Sequence, residues 1–220
     1  MSGRIRRLLR TVPKGRVDLG RLPELATGAP AATRGEASLS PSHRLAQLLL
    51  AERLAGVAAE RCLVLGAGRL VDAASLPFAC RTAPLPSADG RLDLGDLECL
   101  IVGDALAGVD DPPRTLAALL KGLAPGTPTR LLVVLPGAAL LPDDLADCPR
   151  RWLFSGASGE SLAREVLAGR PVTVATRGNV LAASTDLLGL GADQLWPEEL
   201  AADDPQYPMV VMLETRMAAG

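Results

Sequence analysis

The sequence predicts an α/β fold with three layers, in which helices cover both faces of a mostly parallel sheet. Short apolar runs typical of buried strands alternate along the chain with longer segments whose apolar residues recur at helical spacing. Such alternation is typical of βαβ units. The 220 residues are 48% hydrophobic, which is enough to build one sizeable core.

The first half of the chain divides into an arm and the start of the domain. Residues 1–40 are expected to form a basic N-terminal arm and a linker rich in Pro, Ala and Gly, and residues 41–220 the main domain. Ser40 followed by Pro41 is a good N-cap and first-turn pair for the first helix. Strands are predicted at residues 61–66, 80–85 and 98–102, the second at an edge because it ends in prolines.

The second half continues the alternation. Asp110 and Asp111 are expected to cap a helix whose first turn holds Pro112 and Pro113. The apolar patterns after it predict a strand at 130–136, a helix at 158–169, a strand at 171–179, a helix at 179–190 and a closing strand at 208–216.

Charge and composition exclude several classes of function. The 23 basic and 25 acidic residues give a net charge of −2, so no overall field attracts nucleic acid or an anionic membrane. Aromatic residues make up 2% of the chain, too few for base-stacking platforms. No apolar segment reaches the roughly 20 residues of a membrane span. The arginine-rich N-terminus is interpreted as a solvated segment in preference to an organelle transit peptide, and the cytoplasm is the expected location.

The cysteines and the single histidine do not form a recognisable metal motif. The four cysteines lie far apart with no C-x-x-C pair, so no metal site and no disulfide framework is predicted. Cys62 and Cys99 lie inside apolar runs and are expected to be buried, reduced thiols. Neither a G-x-S-x-G element nor a Walker A motif is present.

The stretch LVLGAGRLVD, residues 63–72, has the form of a strand that runs into a nucleotide-binding turn. Its Gly66-Ala67-Gly68 turn is a bare Gly-x-Gly, which by itself is a weak motif. Bulkier residues occupy the position of the third glycine. Asp72 is too close to the turn to reach a ribose and is expected to cap a short helix.

Two longer stretches carry a family resemblance. The C-terminal run RGNVLAASTDLLGLGADQLWPEELAADDPQYPMVV contains Gly-Asn-Val-Leu-Ala, Gly-Leu, Glu-Glu-Leu and Asp-Pro-x-Tyr-Pro elements. The second stretch lies earlier in the chain and is LECLIVGDALAGVDDPPRTLAALLKGLAPGTPTRLLVVLPG. An Arg-Trp-Leu-Phe element follows it at 151–154. Together they resemble a bacterial group of class I, S-adenosylmethionine-dependent methyltransferases found among polysaccharide and natural-product genes. The resemblance covers about residues 34 to 216 and implies a Rossmann-like fold whose last strand is antiparallel.

The resemblance implies S-adenosylmethionine as cofactor, bound by Gly66, Ala67 and Gly68 after the first strand and by Gly103 after the fourth strand of that family. In such a site an acidic residue at the end of the second strand binds the ribose hydroxyls. This chain has no carboxylate there. Asp89 lies at a suitable distance downstream but within a Ser-Ala-Asp-Gly turn sequence, so it is either a ribose ligand or a turn residue. The cofactor region is therefore expected to be degenerate.

Methyl transfer needs alignment and, for some acceptors, a base. The candidates are His43, in the first turn of the first helix, and Asp104, which either orients the cofactor or substrate or caps the next turn. The alternative for His43 is a solvated surface side chain. Arg151 is a candidate to hold an anionic substrate, and Trp152 either lines the acceptor pocket or anchors the core.

Two functions follow as hypotheses. The first is a methyltransferase that O-methylates a small molecule or sugar. The alternative is a methyltransferase-fold protein that has lost the cofactor and acts as a binding or scaffold subunit or as a cofactor-independent biosynthetic enzyme. The expected partners are the small-molecule or sugar substrate and either a second copy of the chain or a biosynthetic partner protein, with no nucleic acid and no membrane.

Overall fold

A computed structural model describes most of the domain predicted from the sequence. The described residues are 39–57, 61–76, 80–86, 97–121, 129–140 and 152–217. They contain one six-stranded sheet with helices packed on both of its faces. Most of the N-terminal arm, together with Asp89, Cys148 and Arg151, lies outside the described residues.

The sheet has the strand order β2-β1-β3-β4-β6-β5. Strands β2, β1, β3 and β4 pair in parallel, and β6 lies antiparallel between β4 and β5. This is the mostly parallel, Rossmann-like sheet with an antiparallel C-terminal strand that the sequence predicts, and the fold prediction is confirmed. The strands are β1 (Cys62–Leu65), β2 (Arg81–Ala83), β3 (Cys99–Val102), β4 (Thr129–Pro136), β5 (Val172–Arg177) and β6 (Val210–Met217).

The first two described helices begin at the predicted capping residues. The Ser40 side chain accepts a hydrogen bond from the backbone N–H of His43, and Asp111 accepts one from that of Arg114. Ser155 and Ser158 cap each other reciprocally at the start of a third helix. The helices are α1 (Pro41–Leu54), α2 (Pro112–Lys121), α3 (Gly156–Val166), α4 (Val180–Leu187) and the short α5 (Pro197–Ala201).

Alternate residues of the central strands separate two hydrophobic cores. Cys62 and Val64 of β1 face the core formed with α1 and α4. Leu63 and Leu65 of the same strand face the core formed with α2 and α3. Because both faces of the sheet are covered, the four residues of β1 form a continuous apolar run without polar alternation.

The chain between β1 and β3 is sparse in regular structure. Its described residues hold a single 3-10 turn, Ala73–Ser75, and the three-residue edge strand β2. Asp72 caps that turn by accepting a hydrogen bond from the N–H of Ala74, as the sequence predicts. No α-helix therefore follows the glycine turn within the described residues, so the turn has no helix N-terminus to stabilise an anion.

Candidate functional site

The candidate site lies at the carboxyl ends of β1 and β3. The chain passes from β1 outward to β2 and then returns to β3 on the other side of β1, so the direction of strand addition reverses here. Open α/β sheets bind their ligands in the crevice at such a reversal. Gly66 follows β1 and Gly103 follows β3, so the structure brings together the two glycine positions that the sequence assigns to the cofactor.

Backbone hydrogen bonds tie together the loops that border this crevice. The N–H of Gly66 donates to the carbonyl of Ala83 at 3.0 Å, and the N–H of Gly103 donates to that of Leu65 at 2.8 Å. The N–H of Ala105 donates in turn to the carbonyl of Gly66 at 3.3 Å. The first two bonds extend the β1–β2 and β1–β3 ladders, and the third joins the loops after β1 and β3.

Two glycines are required here by close packing within the protein. Gly66 has a φ of +61°, and a Cβ on it would lie 3.0 Å from the Cβ of Ala105 and 3.1 Å from that of Leu85. A Cβ on Gly103 would lie 2.4 Å from the carbonyl oxygen of Gly66. In a dinucleotide fold such glycines let the backbone approach a ligand. Here they let the loops approach each other.

Asp104 provides the main polar interaction of the crevice. Its side chain is 5% exposed, and its carboxylate accepts hydrogen bonds from three successive backbone N–H groups of the loop after β1. The donors are Arg69 and Leu70, each at 3.0 Å, and Val71 at 3.3 Å. Successive N–H groups of this kind form an anion-binding concavity. In this protein the anion is the protein's own carboxylate.

Two features of the described residues bear on the binding of S-adenosylmethionine. The amides after β1 are bonded to Asp104, and Gly68 lies against the same carboxylate. After β2, where an acidic residue would bind the ribose, the described chain has Pro84, Leu85 and Pro86, and Leu85 packs against Gly66.

The predicted catalytic histidine is half-buried in the first turn of α1. Its Nε2 atom lies 3.4 Å from the side-chain nitrogen of Gln47, one turn along the same helix. The neighbouring Ser42 is buried and donates from both its N–H and its hydroxyl to the carboxylate of Asp186 in α4. The start of α1 is therefore bonded to α4. Asp104, the other candidate catalytic residue, is bonded instead to the loop after β1.

Trp152 lies on the rim of the crevice. Its backbone N–H donates to the carbonyl of Ala107 and its indole N–H to that of Val109, both in the segment after β3. The interpretation of Trp152 as a core anchor is wrong, because its side chain is 44% exposed. Leu153 beside it is 40% exposed. The rim therefore presents two apolar side chains to solvent.

Asn179 has a structural importance that the sequence reasoning did not assign. It is buried, its amide group donates to the carbonyls of Glu199 and Ala202, and its oxygen accepts from the N–H groups of Leu181 and Ala182. All its hydrogen-bonding capacity is used to cap α4 and to hold α5. The signal was available as an Asn directly before an apolar helical pattern.

Three cysteine thiols lie close together beneath α1. Cys62 and Cys99 are opposite each other on β1 and β3, and both are buried and free, as the sequence predicts. A hydrogen bond to Cys99 and burial raise the pKa of the Cys62 thiol well above its ordinary value. Burial and a hydrogen bond with Cys62 raise the pKa of Cys80 to about 12. The Cys62 and Cys80 thiols are therefore protonated and unreactive near neutral pH.

Within the described part of the chain, no three His, Cys, Asp or Glu side chains are grouped so that they could hold a metal ion. No helix of the same residues has the length and apolar character needed to cross a bilayer.

The comparisons with known proteins give similarity in fold alone. No protein-family model and no curated protein matches the chain. A methyltransferase dependent on S-adenosylmethionine from Thermotoga maritima is 17% identical with a TM-score of 0.48, over 79% of this chain and 90% of that one. A second, from Mesorhizobium loti, is 15% identical with a TM-score of 0.43, over 78% and 98% of the two chains. At these values neither structure assigns a role to any residue described above.

Proposed function

We propose that this chain is a methyltransferase-fold protein that has lost the cofactor and acts as a binding or scaffold subunit. The observation that carries the proposal is the position of Asp104, whose carboxylate occupies the amide concavity after β1. A ligand carboxylate entering this concavity would meet a buried negative charge already bonded to the donors it needs. Two like charges at such a distance repel strongly in a site that excludes water.

The apolar crevice wall supports the same proposal. Leu85 packs on Gly66 at the place where a cofactor-binding chain needs a carboxylate for the ribose. Moving Leu85 away from Gly66 would expose apolar surface, so cofactor binding would have to offset that cost.

The exposed rim indicates where a partner would contact the subunit. Trp152 and Leu153 are adjacent, large and partly exposed beside the crevice. Tryptophan is enriched at the energetically important centres of protein interfaces. The proposed occupants are a biosynthetic partner protein or a second copy of the chain, in a cytoplasmic setting.

The second candidate function is the O-methylation of a small molecule or sugar with S-adenosylmethionine. The retained Gly66-Ala67-Gly68 turn favours it, because this turn lies at the strand reversal with Gly66 at a positive φ. On this hypothesis the loops would separate when the cofactor binds, and His43 or Asp104 would serve as base while Arg151 and Trp152 contact the acceptor.

A calorimetric titration of S-adenosylmethionine and S-adenosylhomocysteine into the purified full chain distinguishes the two functions. The proposal expects no binding at millimolar ligand. A dissociation constant below about 100 μM, near −5.5 kcal/mol, would overturn it and favour the second candidate. In that case Asp89→Ala should weaken binding if Asp89 contacts the ribose, and Asp72→Ala, which changes an exposed cap, is the matched control.

A further inference from the structure

A cleft of about 420 Å³ lies at the opposite edge of the sheet from the crevice. It is formed at the amino ends of β1, β3 and β4 and beneath the end of α1. We call it the amino-end cleft; its lining residues are Ala55, Gly56, Val57, Arg61, Glu98, Thr129, Arg130 and Arg216. Its charged lining therefore consists of three arginines and one glutamate.

Two of these arginines are direct partners in the sheet. Arg130 of β4 and Arg216 of β6 lie opposite each other in the antiparallel register. Residues in this relationship point to the same face, with Cβ atoms about 5 Å apart, and like charges so placed are destabilising. An anion bound between the two guanidinium groups would relieve this repulsion.

The carboxylates of the described residues compensate this charge incompletely. Glu214 is shared, since it forms ion pairs with both Arg53 and Arg130. Glu98 is placed between Arg61 and Arg130 by backbone hydrogen bonds on either side of it. Among the described residues, none forms an ion pair or a side-chain hydrogen bond with Arg216, whose guanidinium borders the cleft.

We propose that the amino-end cleft binds the phosphoryl group of a small phosphorylated molecule. Guanidinium groups bind phosphate oxygens through paired hydrogen bonds, and arginine is the residue preferred for this recognition. A phosphoryl group carries charge opposite to that of Arg130 and Arg216, which lie opposite each other in the sheet. The concave shape and the volume of the cleft suit a small soluble molecule.

This site does not depend on the crevice at the carboxyl edge. Its residues come from the amino ends of β1, β3 and β4, from the carboxyl end of the antiparallel β6 and from the chain after α1, and none of them contacts the Gly66–Gly68 turn through a bond described above. The inference therefore stands whether or not S-adenosylmethionine binds, and the two titrations report on different ligands at opposite edges of the sheet.

The test is a calorimetric titration of the full chain with inorganic pyrophosphate. Binding is expected to be saturable and to weaken as salt is added. Arg216→Gln should weaken it by about tenfold, which is the effect of losing one charge-assisted contact. Arg164→Gln is the matched control, because Arg164 is an exposed arginine that lies outside the cleft, on α3, and this variant should bind as the wild type does.

A charge reversal separates binding from folding. Arg216→Glu places a carboxylate opposite Arg130, which is a favourable cross-strand pair. Its melting temperature should therefore equal or exceed that of the wild type, while pyrophosphate binding should be lost. The proposal is overturned if pyrophosphate at about 10 mM gives no saturable binding, if Arg216→Gln binds unchanged, or if Arg164→Gln loses as much affinity as Arg216→Gln.

Discussion

The carboxylate of Asp104 lies directly against Gly68, so closely that a Cβ on Gly68 would be 2.7 Å from its Oδ1 atom. The same oxygen accepts hydrogen bonds from Leu70 and Val71. The glycine and the carboxylate thus require each other: a larger residue would displace the acid, and without the acid the N–H groups would lose their acceptor. The contact between Gly68 and Asp104 thus joins the loop after β1 to the start of the segment after β3.

Gly68→Ala is predicted to destabilise the fold by about 1–3 kcal/mol, the usual cost of forcing an extra methyl into a packed site. The new Cβ must push Asp104 away from the amides. Urea denaturation gives the change in the free energy of unfolding. Gly156→Ala is the control, because its Cβ would meet Thr176 at an ordinary 3.4 Å. Equal stability of the two variants would contradict the assigned contact.

Asp104→Ala is predicted to cost about 2–4 kcal/mol, because it leaves the three amides of residues 69–71 buried or partly buried without their charged acceptor. Asp104→Asn keeps one acceptor oxygen and should cost less. Asp72→Ala removes an exposed cap and should cost about 1 kcal/mol or less. Urea denaturation midpoints rank the three variants by stability. If Asp72→Ala loses as much stability as Asp104→Ala, the role assigned to the Asp104 carboxylate is wrong.

Asn179→Ala is predicted to be among the most destabilising single changes in the C-terminal part, at about 3 kcal/mol or more. The residue is 2% exposed and its two donors and its acceptor are all used. Asn179→Asp keeps the acceptor for α4 but loses the donors to α5, so it should also destabilise. Ser155→Ala, which removes the cap of α3, is expected to lose about 1 kcal/mol. Thermal unfolding followed by circular dichroism ranks the three.

The cysteine cluster predicts a loss of stability at alkaline pH. The pKa of Cys80 is raised to about 12 from 9.0, so folding favours the protonated thiol. The stabilising contribution is complete below about pH 9 and is lost as the pH rises toward 12. In a Cys148→Ser background, the urea midpoint should fall over this range, and the fall should be smaller when Cys80→Ser is added.

The same cluster predicts slow alkylation. In the Cys148→Ser background near pH 8, Cys62 and Cys80 of the folded protein should react with iodoacetamide far more slowly than in the same chain in urea, because folding raises the pKa of both thiols. Modification of Cys80 in the folded protein at the rate of a free cysteine would show that its pKa is not raised.

Local signals explain why so much of the fold was predicted. Ser40 and Asp111 cap helices at the predicted positions, and the apolar runs of β1 and β4 became buried strands. These features depend on a residue and its close neighbours in sequence. The resemblance added the antiparallel position of β6, which periodicity alone does not reveal.

The candidate site was predicted only in its position. Gly66 and Gly103 do lie together at the strand reversal. The role of Asp104 was left open between ligand contact and local cap, and the structure gives a third arrangement, in which it bonds a loop 33 to 35 residues earlier in the chain. Arg130 and Arg216 were not singled out at all, although they lie at the ends of the predicted strands.

The sequence by itself determined most of the strands and helices, because apolar periodicity and capping act locally, and with the family resemblance it indicated the edge of the sheet at which a cofactor site would lie. Only the tertiary structure decided what fills that edge. There Leu85 packs on Gly66 and Asp104 on Gly68, and at the opposite end of the strands Arg130 lies opposite Arg216. Each pair joins residues that are far apart in the chain. They depend on strand register and on how closely the loops pack, which no local pattern specifies.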